Sequence, residues 1–479
     1  MPATVTDTDA TAVPEQSDGL PAPRRYWAVA AIWLAMILSV LDGAIANVAL
    51  PTIARELNAS AASSIWIVNA YQLAITVTLL PLAALGDKLG YRRVYMVGLV
   101  VFTLGSLACA LSHTLEELTA ARIFQGLGAG GIMSINAALV RFTFPHRMLG
   151  RAIGLNAMVI SIAAAIGPTV AAAILSRASW EWLFAINVPL GLVAVIFGLF
   201  ALPRTLGSGR RFDWISALLN ALTFGFLILG AESMARDGLG VGGSKLAAGL
   251  IAGAFLIRRE LRLTAPLVPF DLLRIPIFGL SIATSIVSFA AQMLAYVGLP
   301  FYFQGALGRT AVETGLLMTP WPLAVAVGAP LGGRLADRYR VGALGALGLG
   351  VFATGLTLLA LLPTHASRLD IAWRMAMCGL GFGFFQSPNN RALVTSAPLH
   401  RSGAAGGMLA TARLLGQTTG AVAMAVFFRL AGAHASRSGL FAAAGVAAFA
   451  AVVSLSRLTL PRPRGPHLPD RIGRTPAGP

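Results

Sequence analysis

Long apolar segments, separated by short loops that contain arginine, make up most of the chain. An apolar segment of about 18 residues or more is long enough to cross a lipid bilayer as one α-helix. The pattern predicts fourteen such helices, near residues 27–50, 64–86, 94–112, 117–140, 149–176, 182–203, 212–232, 243–260, 276–303, 312–335, 343–363, 367–393, 402–431 and 437–458. The predicted fold class is therefore an all-α integral membrane protein.

Composition supports this fold class and argues against an enzyme. Of the 479 residues, 56% are hydrophobic and only 11% are charged, whereas a soluble globular domain carries roughly 25% charged residues. The mean hydropathy is +0.75, and the 52 glycines fit helices that pack closely in lipid. Neither a Ser, His and Asp set nor paired buried carboxylates are apparent in the sequence. We therefore expect a membrane protein that catalyses no reaction.

The net charge of +17 raises the question of nucleic-acid binding, because basic proteins bind phosphate polymers. The basic residues lie singly or in pairs between apolar segments, and all except Lys88 and Lys245 are arginine. Most of them fall on alternate loops and on the tail from Arg457 onward, as the positive-inside rule requires. The pattern predicts no nucleic-acid partner and places both termini on the cytoplasmic side of a bacterial inner membrane. Cys109 and Cys378 lie far apart within apolar segments, so no disulfide and no metal site are expected.

An internal repeat divides the predicted helices into two sets of six. Residues 81–88 and 330–338 are similar, and each stretch ends the second helix of its set with Asp87-Lys88 or Asp337-Arg338. Two parallel halves are one known architecture of secondary transporters, with the substrate site at the midplane between them. The predicted organisation is a disordered cytoplasmic tail at 1–23, a six-helix bundle at 24–203, a linker with two extra membrane helices at 204–274, a second bundle at 275–458 and a cytoplasmic tail at 459–479.

Asp42 is the most informative single residue, because it lies about two thirds of the way along the first predicted membrane helix. An acid at such a depth costs about 2.5–3.5 kcal/mol on insertion scales. It must face a cavity or a partner, and burial favours its protonated form. The sequence therefore predicts that Asp42 handles protons or cations. The alternative is an ion pair that only holds helices together.

Other polar residues within the apolar segments are candidates for the same site. Arg122 lies inside the fourth predicted helix and stays charged, so it needs a carboxylate or free carbonyl groups, either for proton coupling or for bracing helices. Arg413 in the second half also needs a partner, and Asp42 is one candidate. The residues that could line a substrate cavity are Asn47, Gln125, Gln386, Asn389, Arg413 and Gln417.

Two further segments suggest moving parts. The turn between the second and third helices has a near-recurrence in the second half, and the two together predict a gate at the inside face. The alternative is a loop that only sets the topology. The residues of this predicted gate are Gly86, Asp87, Gly90, Arg92, Arg93, Asp337 and Arg338. Gly167-Pro168 interrupts a helix of small residues, and proline removes one backbone hydrogen bond and bends a helix. The bend is either a gate or a static kink.

These motifs together resemble those of the major facilitator superfamily. Residues 86–93, Gly-Asp-Lys-Leu-Gly-Tyr-Arg-Arg, resemble its loop signature, Arg122 with Gln125-Gly126 its fourth-helix signature, and Gly167-Pro168 its antiporter signature. Residues 41–51 resemble the first-helix signature of the fourteen-helix drug:proton antiporters. The sequence departs from the family pattern at Ala83, Ala171 and Ala172, where glycine is usual.

The resemblance implies the major facilitator fold with two additional helices, and multidrug efflux with antibiotic resistance as its role. It implies export of small hydrophobic molecules by alternating access, driven by the proton gradient and without a cofactor. Asp42 and Arg122 would handle the proton and Asp87 would belong to the inside gate. The second half has no acid deep inside a predicted helix, away from its ends, so a lipophilic monocation or a neutral amphiphile is favoured over a dication. A dedicated exporter of one metabolite and a non-transporting membrane sensor are the alternatives, and a monomer in lipid is the simplest expectation.

Overall fold

The computed structural model describes residues 19–205, 207, 212–236, 239–263, 270–336, 338–397 and 402–459. Most of the two predicted tails, at 1–18 and 460–479, lies outside these residues. Almost all of the described chain is helical, with α1 Ala22–Glu56, α2 Ala61–Ser64, α3 Trp66–Leu89, α4 Tyr91–Ala110, α5 Leu115–Thr143, α6 Leu149–Leu175, α7 Trp182–Ala185, α8 Asn187–Ala201, α9 Trp214–Arg236, α10 Leu239–Glu260, α11 Pro276–Phe301, α12 Ala311–Met318, α13 Pro320–Leu335, α14 Val341–Ala360, α15 Arg368–Ser396, α16 Ser402–Ala431 and α17 Ala435–Ser456.

Polar side chains fix where several helices begin. The hydroxyl of Thr114 accepts a hydrogen bond from the Glu117 backbone N–H at the start of α5, and Ser367 caps α15 in the same way. Thr310 and Glu313 form a reciprocal capping box at the start of α12. Each cap satisfies backbone N–H groups that have no partner within the helix. The short loops between apolar segments therefore carry the stop and start signals of the membrane helices.

The helices of the two halves pair in the same way. In the first half, α1 packs against α6 and α8, α5 packs against α3 and α4, and α4 also packs against α8. In the second half, α11 packs against α16 and α17, α15 packs against α13 and α14, and α14 also packs against α17. Position for position, these pairings are equivalent. The packing therefore repeats along the chain as the two similar Asp-containing motifs do.

Both halves have their chain ends at one face, which we call the terminal face. Arg24 near the start of α1 donates to the carbonyl of Ala201 at the end of α8, at 3.1 Å. Leu80 in the second half of α3 belongs to one apolar cluster with Phe278 near the start of α11. Arg457, just after α17, donates to Ser281 of α11 at 3.2 Å. The other face, where α1 and α11 end and α12 begins, is called the far face.

Twelve described helical segments are long and apolar enough to cross a membrane, rather than the fourteen predicted. The helix α9 is not among the twelve, since its described apolar part, Trp214–Gly230, has 17 residues. The helix α15 is long enough, but it contains Arg374, Gln386, Asn389 and Asn390, which lower its mean hydropathy. Length and apolarity therefore support an all-helical membrane protein with about twelve spans.

The helices α9 and α10 form an antiparallel pair outside the two sets. Asp213 precedes α9 and forms an ion pair with Arg259 near the end of α10, at 3.0 Å. Partial burial works to raise the pKa of the Asp213 carboxyl, but hydrogen bonds from Arg259 and Ser216 outweigh burial and hold this pKa below its ordinary value. Asn220 of α9 donates to the Val77 carbonyl of α3 at 3.0 Å. The pair is thereby attached to the first half.

Candidate functional site

Asp42 and Arg122 form a buried ion pair inside the first half. Asp42 is 1% exposed and Arg122 is 0% exposed. The Arg122 guanidinium donates to Oδ2 of Asp42, while the amides of Gln125 and Asn187 each donate to Oδ1 at 2.9 Å. Helices α1, α5 and α8 each supply part of this cluster. Of the two surroundings predicted for Asp42, a cavity or a partner, the structure shows a partner, and this partner is Arg122 rather than the candidate Arg413.

Several further groups hold the Arg122 guanidinium in place. Its Nε donates to the Ile67 carbonyl at 2.9 Å, and its Nη1 also donates to Gln125 Oε1 at 2.6 Å. The guanidinium carbon lies 4.0 Å from the centre of the Tyr71 ring and 5.4 Å from that of Phe184. Such stacking stabilises a cation that has left water. Its Nη2 has no hydrogen-bond partner among the described residues, so the hydrogen bonds that hold the guanidinium come from Nε and Nη1.

Asn187 is a site residue that sequence reasoning missed. It begins α8 and is 1% exposed, and its amide donates to the carboxylate of Asp42. The signal in the sequence is a lone amide within the otherwise apolar segment 182–203. A buried amide needs hydrogen-bond partners, but the sequence does not indicate which helix supplies them.

A central cavity of about 400 Å³ lies between the two halves. Its walls come from α1, α3, α5 and α6 of the first half and from α11, α13, α15 and α16 of the second. The volume lies within the range of pockets that bind small organic molecules. Its aromatic walls are Tyr71, Phe289, Tyr296, Trp321 and Phe382, and its polar groups include Ser39, Asn47, Gln72, Gln292, Gln386, Asn390, Arg413 and Gln417.

Tyr71 connects this cavity to the ion pair. It lines the cavity, and its ring also contacts the Arg122 guanidinium. Its hydroxyl donates to the carbonyl of Ser39, another lining residue, at 2.9 Å. A displacement of Arg122 would therefore act on the cavity wall through a single side chain.

Four of the six residues predicted to line a cavity do so: Asn47, Gln386, Arg413 and Gln417. The other two have different surroundings. Gln125 belongs to the ion-pair cluster. Asn389 is 1% exposed, accepts from Arg457 at 2.7 Å and donates to Ser285 at 2.8 Å. Arg457, grouped with the tail in the sequence, is thus a buried structural residue that joins α17 to α15.

The gate-loop residues lie at the terminal face. Asp87 is exposed, and its carboxylate accepts from the Tyr91 hydroxyl rather than from an arginine. The Arg92 side chain donates to the Leu199 carbonyl of α8, and Arg93 is exposed. Gly86 is buried between Ile135 and Tyr91, and Arg338 is exposed while Asp337 lies outside the described residues.

Gly90 ends α3 in a backbone conformation that favours glycine. Its φ is +93°, and a side chain there would also meet the Thr205 carbonyl oxygen. The backbone N–H of Arg92 donates to the Thr205 hydroxyl at 3.3 Å. The turn is therefore held tightly against the segment that follows α8.

Gly167 and Pro168 lie within α6, where the helix packs on both halves. A side chain on Gly167 would overlap that of Ala44, two residues after Asp42. Towards the far face, Gly315 of α12 lies so close to α6 that a β-carbon there would be 2.5 Å from the Pro168 carbonyl oxygen and 2.8 Å from the Ala172 side chain. The predicted helix-five motif is thus at the contact between the halves.

A cavity enclosed by two equivalent sets of membrane helices, beside a buried ion pair, defines a secondary membrane transporter. The chain matches the Major Facilitator Superfamily over residues 32–421 and 280–477, and it belongs to that family. No group of three or more His, Cys, Asp or Glu side chains that could hold a metal occurs among the described residues, and the family needs no cofactor.

The chain is 54% identical over 452 residues to the uncharacterized transporter YebQ of Escherichia coli strain K12, covering 94% of this chain and 99% of that one. It is 30% identical over 395 residues to the multidrug resistance protein Stp of Mycobacterium tuberculosis, covering 81% and 73%. A crystal structure of a POT family transporter with a conjugated peptide matches with a TM-score of 0.71 at 13% identity, covering 91% and 96%. That structural likeness concerns the fold alone.

Proposed function

We propose that this protein exports amphiphilic small molecules across the bacterial inner membrane in exchange for protons, by alternating access. The observation that carries the proposal is the buried Asp42–Arg122 pair, separated from a central cavity by Tyr71. A carboxylate in such a place can exist in two charge states, and its neighbours respond to each. Its protonation is therefore a means of coupling a proton to the shape of the cavity.

In this mechanism Asp42 carries the proton. The ionised carboxylate accepts from three N–H donors, on Arg122, Gln125 and Asn187. A neutral carboxyl group loses the attraction of Arg122 and needs an acceptor for its own proton, which those N–H groups cannot supply. Proton binding therefore releases the guanidinium from the carboxylate. Because Arg122 stacks on Tyr71, that release disturbs the cavity wall and favours substrate loss.

Contacts between the halves near the far face supply one gate. Gln304 donates to the Val48 carbonyl of α1 at 3.4 Å, and the hydroxyls of Thr169 and Thr319 are 2.8 Å apart. The close approach of Gly315 to α6 adds a third contact. Separating these groups would open the cavity to the far face. We assign Gly167 and Pro168 to this gate because they bring α6 close to both α1 and α12.

The loop at residues 86–93 is proposed as a gate at the terminal face, which we take to be cytoplasmic. Its arginines fit the cytoplasmic side by the positive-inside rule. Its contacts with Leu199 of α8 and with Thr205, just after α8, link it to the first half. Residues 24–203 and 275–458 would then rock against each other as two bundles. Asp87 and Arg338 are both exposed at this face and are free to change partners during that motion.

We also propose the fourteen-helix drug:proton antiporter type, in which α9 and α15 cross the membrane as well. For α15, the support is its packing between α13 and α14 in the core of the second half. Gln386 and Asn390 line the cavity and Asn389 binds Arg457, and hydropathy averaged around a helix does not distinguish these faces from one that contacts lipid. For α9, the support is its antiparallel pairing with α10, which is long and apolar enough to span.

A multidrug role and a dedicated role differ in how the cavity recognises its substrate. The relative Stp is described as a multidrug resistance protein, which supports broad export. Many amides line the cavity together with one arginine, which favours a substrate of defined polarity. A panel of lipophilic cations, neutral amphiphiles and anions separates the two, since broad displacement indicates multidrug export and a single response a dedicated exporter.

The coupling proposal is tested in energised inside-out vesicles by measuring substrate-induced dissipation of the pH gradient. We expect Asp42→Asn to abolish the response while the protein stays folded in the membrane. Asp213→Asn is the matched control, since it makes the same chemical change and also breaks an Asp–Arg pair, but away from the cavity. An Asp42→Asn protein that moves protons like the wild type would exclude Asp42 as the proton carrier.

A further inference from the structure

Arg413 is the only charged side chain among the described residues that line the central cavity. Within the described part of the chain, its guanidinium has neither a hydrogen bond nor an ion pair. It lies 5.5 Å from the centre of the Phe289 ring, which also lines the cavity. Asp42, the carboxylate of the neighbouring cluster, is occupied by Arg122 and does not line the cavity. The cavity therefore presents one uncompensated positive charge.

An arginine without a partner is costly in a membrane interior, since a buried charge needs a counter-charge or several acceptors. The two arginines that are buried in the described part of the chain have such partners. Arg122 has Asp42, and Arg457 has the side-chain oxygens of Asn389 and Ser454, each at 2.7 Å. Arg413 differs because no described residue supplies such a partner, whereas a molecule in the cavity that Arg413 lines could.

The remaining walls indicate the rest of the ligand. Trp321 and Tyr296 pack edge to face with a ring separation of 6.0 Å, and Phe289 and Phe382 pack in the same way at 5.2 Å. Flat apolar walls of this kind favour aromatic ligands.

We infer that the substrate is an aromatic organic anion whose carboxylate or phenolate binds Arg413 while its ring system lies among the aromatic walls. This inference rests on the proposed export function and specifies its substrate class. A planar guanidinium binds a carboxylate through two parallel N–H bonds, which lysine cannot do. A lipophilic cation would meet the same guanidinium as a repulsive charge, so the cavity discriminates against the cationic drugs that the resemblance suggested.

The test measures equilibrium binding directly, by calorimetry on the full-length protein in lipid nanodiscs, with empty nanodiscs as the blank. The probes share one ring and differ in charge: 2-naphthoate, 2-naphthamide and (2-naphthylmethyl)trimethylammonium. We expect 2-naphthoate to bind about tenfold or more tightly than the amide, because hydrogen bonds to charged groups exceed neutral ones by about that factor. The ammonium compound should bind most weakly.

Three variants assign the preference to its residue. Arg413→Gln should abolish the advantage of naphthoate over naphthamide, and Arg413→Lys should restore part of it because the charge is kept without the paired geometry. Arg437→Gln is the matched control, since it removes one positive charge from the same half but at the far face, where Arg437 donates to the Ala360 carbonyl. It should leave all three affinities unchanged. Size-exclusion profiles confirm that each variant is folded.

Equal affinities for the three probes, absence of naphthoate binding, or a preference that persists in Arg413→Gln would each overturn the inference. These outcomes are separate from failure of the proposed function. If naphthoate binds through Arg413 but causes no proton movement in vesicles, the anion site is supported and proton-coupled export is contradicted. If lipophilic cations are exported in an Asp42-dependent way and Arg413→Gln does not change naphthoate binding, the export function is supported and the anion site is contradicted.

Discussion

Removing one charge of the buried Asp42–Arg122 pair should lower the free energy of unfolding by more than the intact pair contributes to it. In Asp42→Asn the Arg122 guanidinium keeps the Ile67 carbonyl, Gln125 and the Tyr71 ring but loses its counter-charge, at 0% exposure. Breaking one side of a buried ion pair typically costs about 3–5 kcal/mol. The retained contacts offset part of this, so we expect a loss of about 3 kcal/mol in the free energy of unfolding.

A double-mutant cycle tests this reasoning. Arg122→Gln leaves the buried Asp42 carboxyl group with only the amides of Gln125 and Asn187 as partners. The free energy of unfolding should therefore also fall by about 3 kcal/mol. The double variant leaves no charge in this cluster. Its loss in the free energy of unfolding should be about 1–3 kcal/mol smaller than the sum of the two single losses. Equilibrium unfolding in mixtures of dodecyl maltoside and SDS measures all four proteins.

The cycle also separates stability from coupling. The double variant should regain stability while remaining inactive in proton exchange, because it has no carboxylate. Losses that add to within about 0.5 kcal/mol would refute the proposed interaction. A single variant as stable as the wild type would refute the claim that the charge left behind is buried without compensation.

Two further predictions concern the contacts between helices. Gly315→Val should place its branched side chain against Pro168 and Ala172 and keep the two halves apart at the far face. We expect loss of export with substrate binding retained, and faster labelling of a cysteine introduced at Thr319. A labelling rate equal to that of the same cysteine in the protein with Gly315 would contradict the gate. Asp213→Asn should lower stability by at most about 1 kcal/mol, because the pair with Arg259 is partly exposed. Because the pKa of Asp213 is lowered in the folded protein, its contribution to stability is present above the ordinary pKa of a carboxyl group and is lost only as pH falls through the lowered pKa. The difference in the free energy of unfolding between this variant and the wild type should therefore be constant between pH 5 and 8. A difference that disappears by pH 5 would contradict this.

Apolar segment length predicted the helices well, because a membrane imposes one solvent on every residue of a span. It was less reliable where a helix faces protein rather than lipid. In α15, Gln386 and Asn390 line the cavity, Asn389 binds Arg457 and Arg374 pairs with Asp370. These polar residues lower the mean hydropathy of a helix that lies in the core of the second half. Conversely, the sequence groups Arg457 with the basic residues of the tail because it stands at the end of the last apolar segment, whereas it is only 6% exposed.

The sequence by itself determined that Asp42 and Arg122 lie within apolar helices and that each needs a partner, since the cost of a charge in lipid depends only on depth. Only the tertiary structure decided that they pair with each other, that Asn187 joins them and that Arg413 faces a cavity without a counter-charge. The physical reason is that hydropathy fixes how deep a residue lies along its own helix. The partner depends on how neighbouring helices are rotated and packed, and that is set by contacts between residues far apart in the chain.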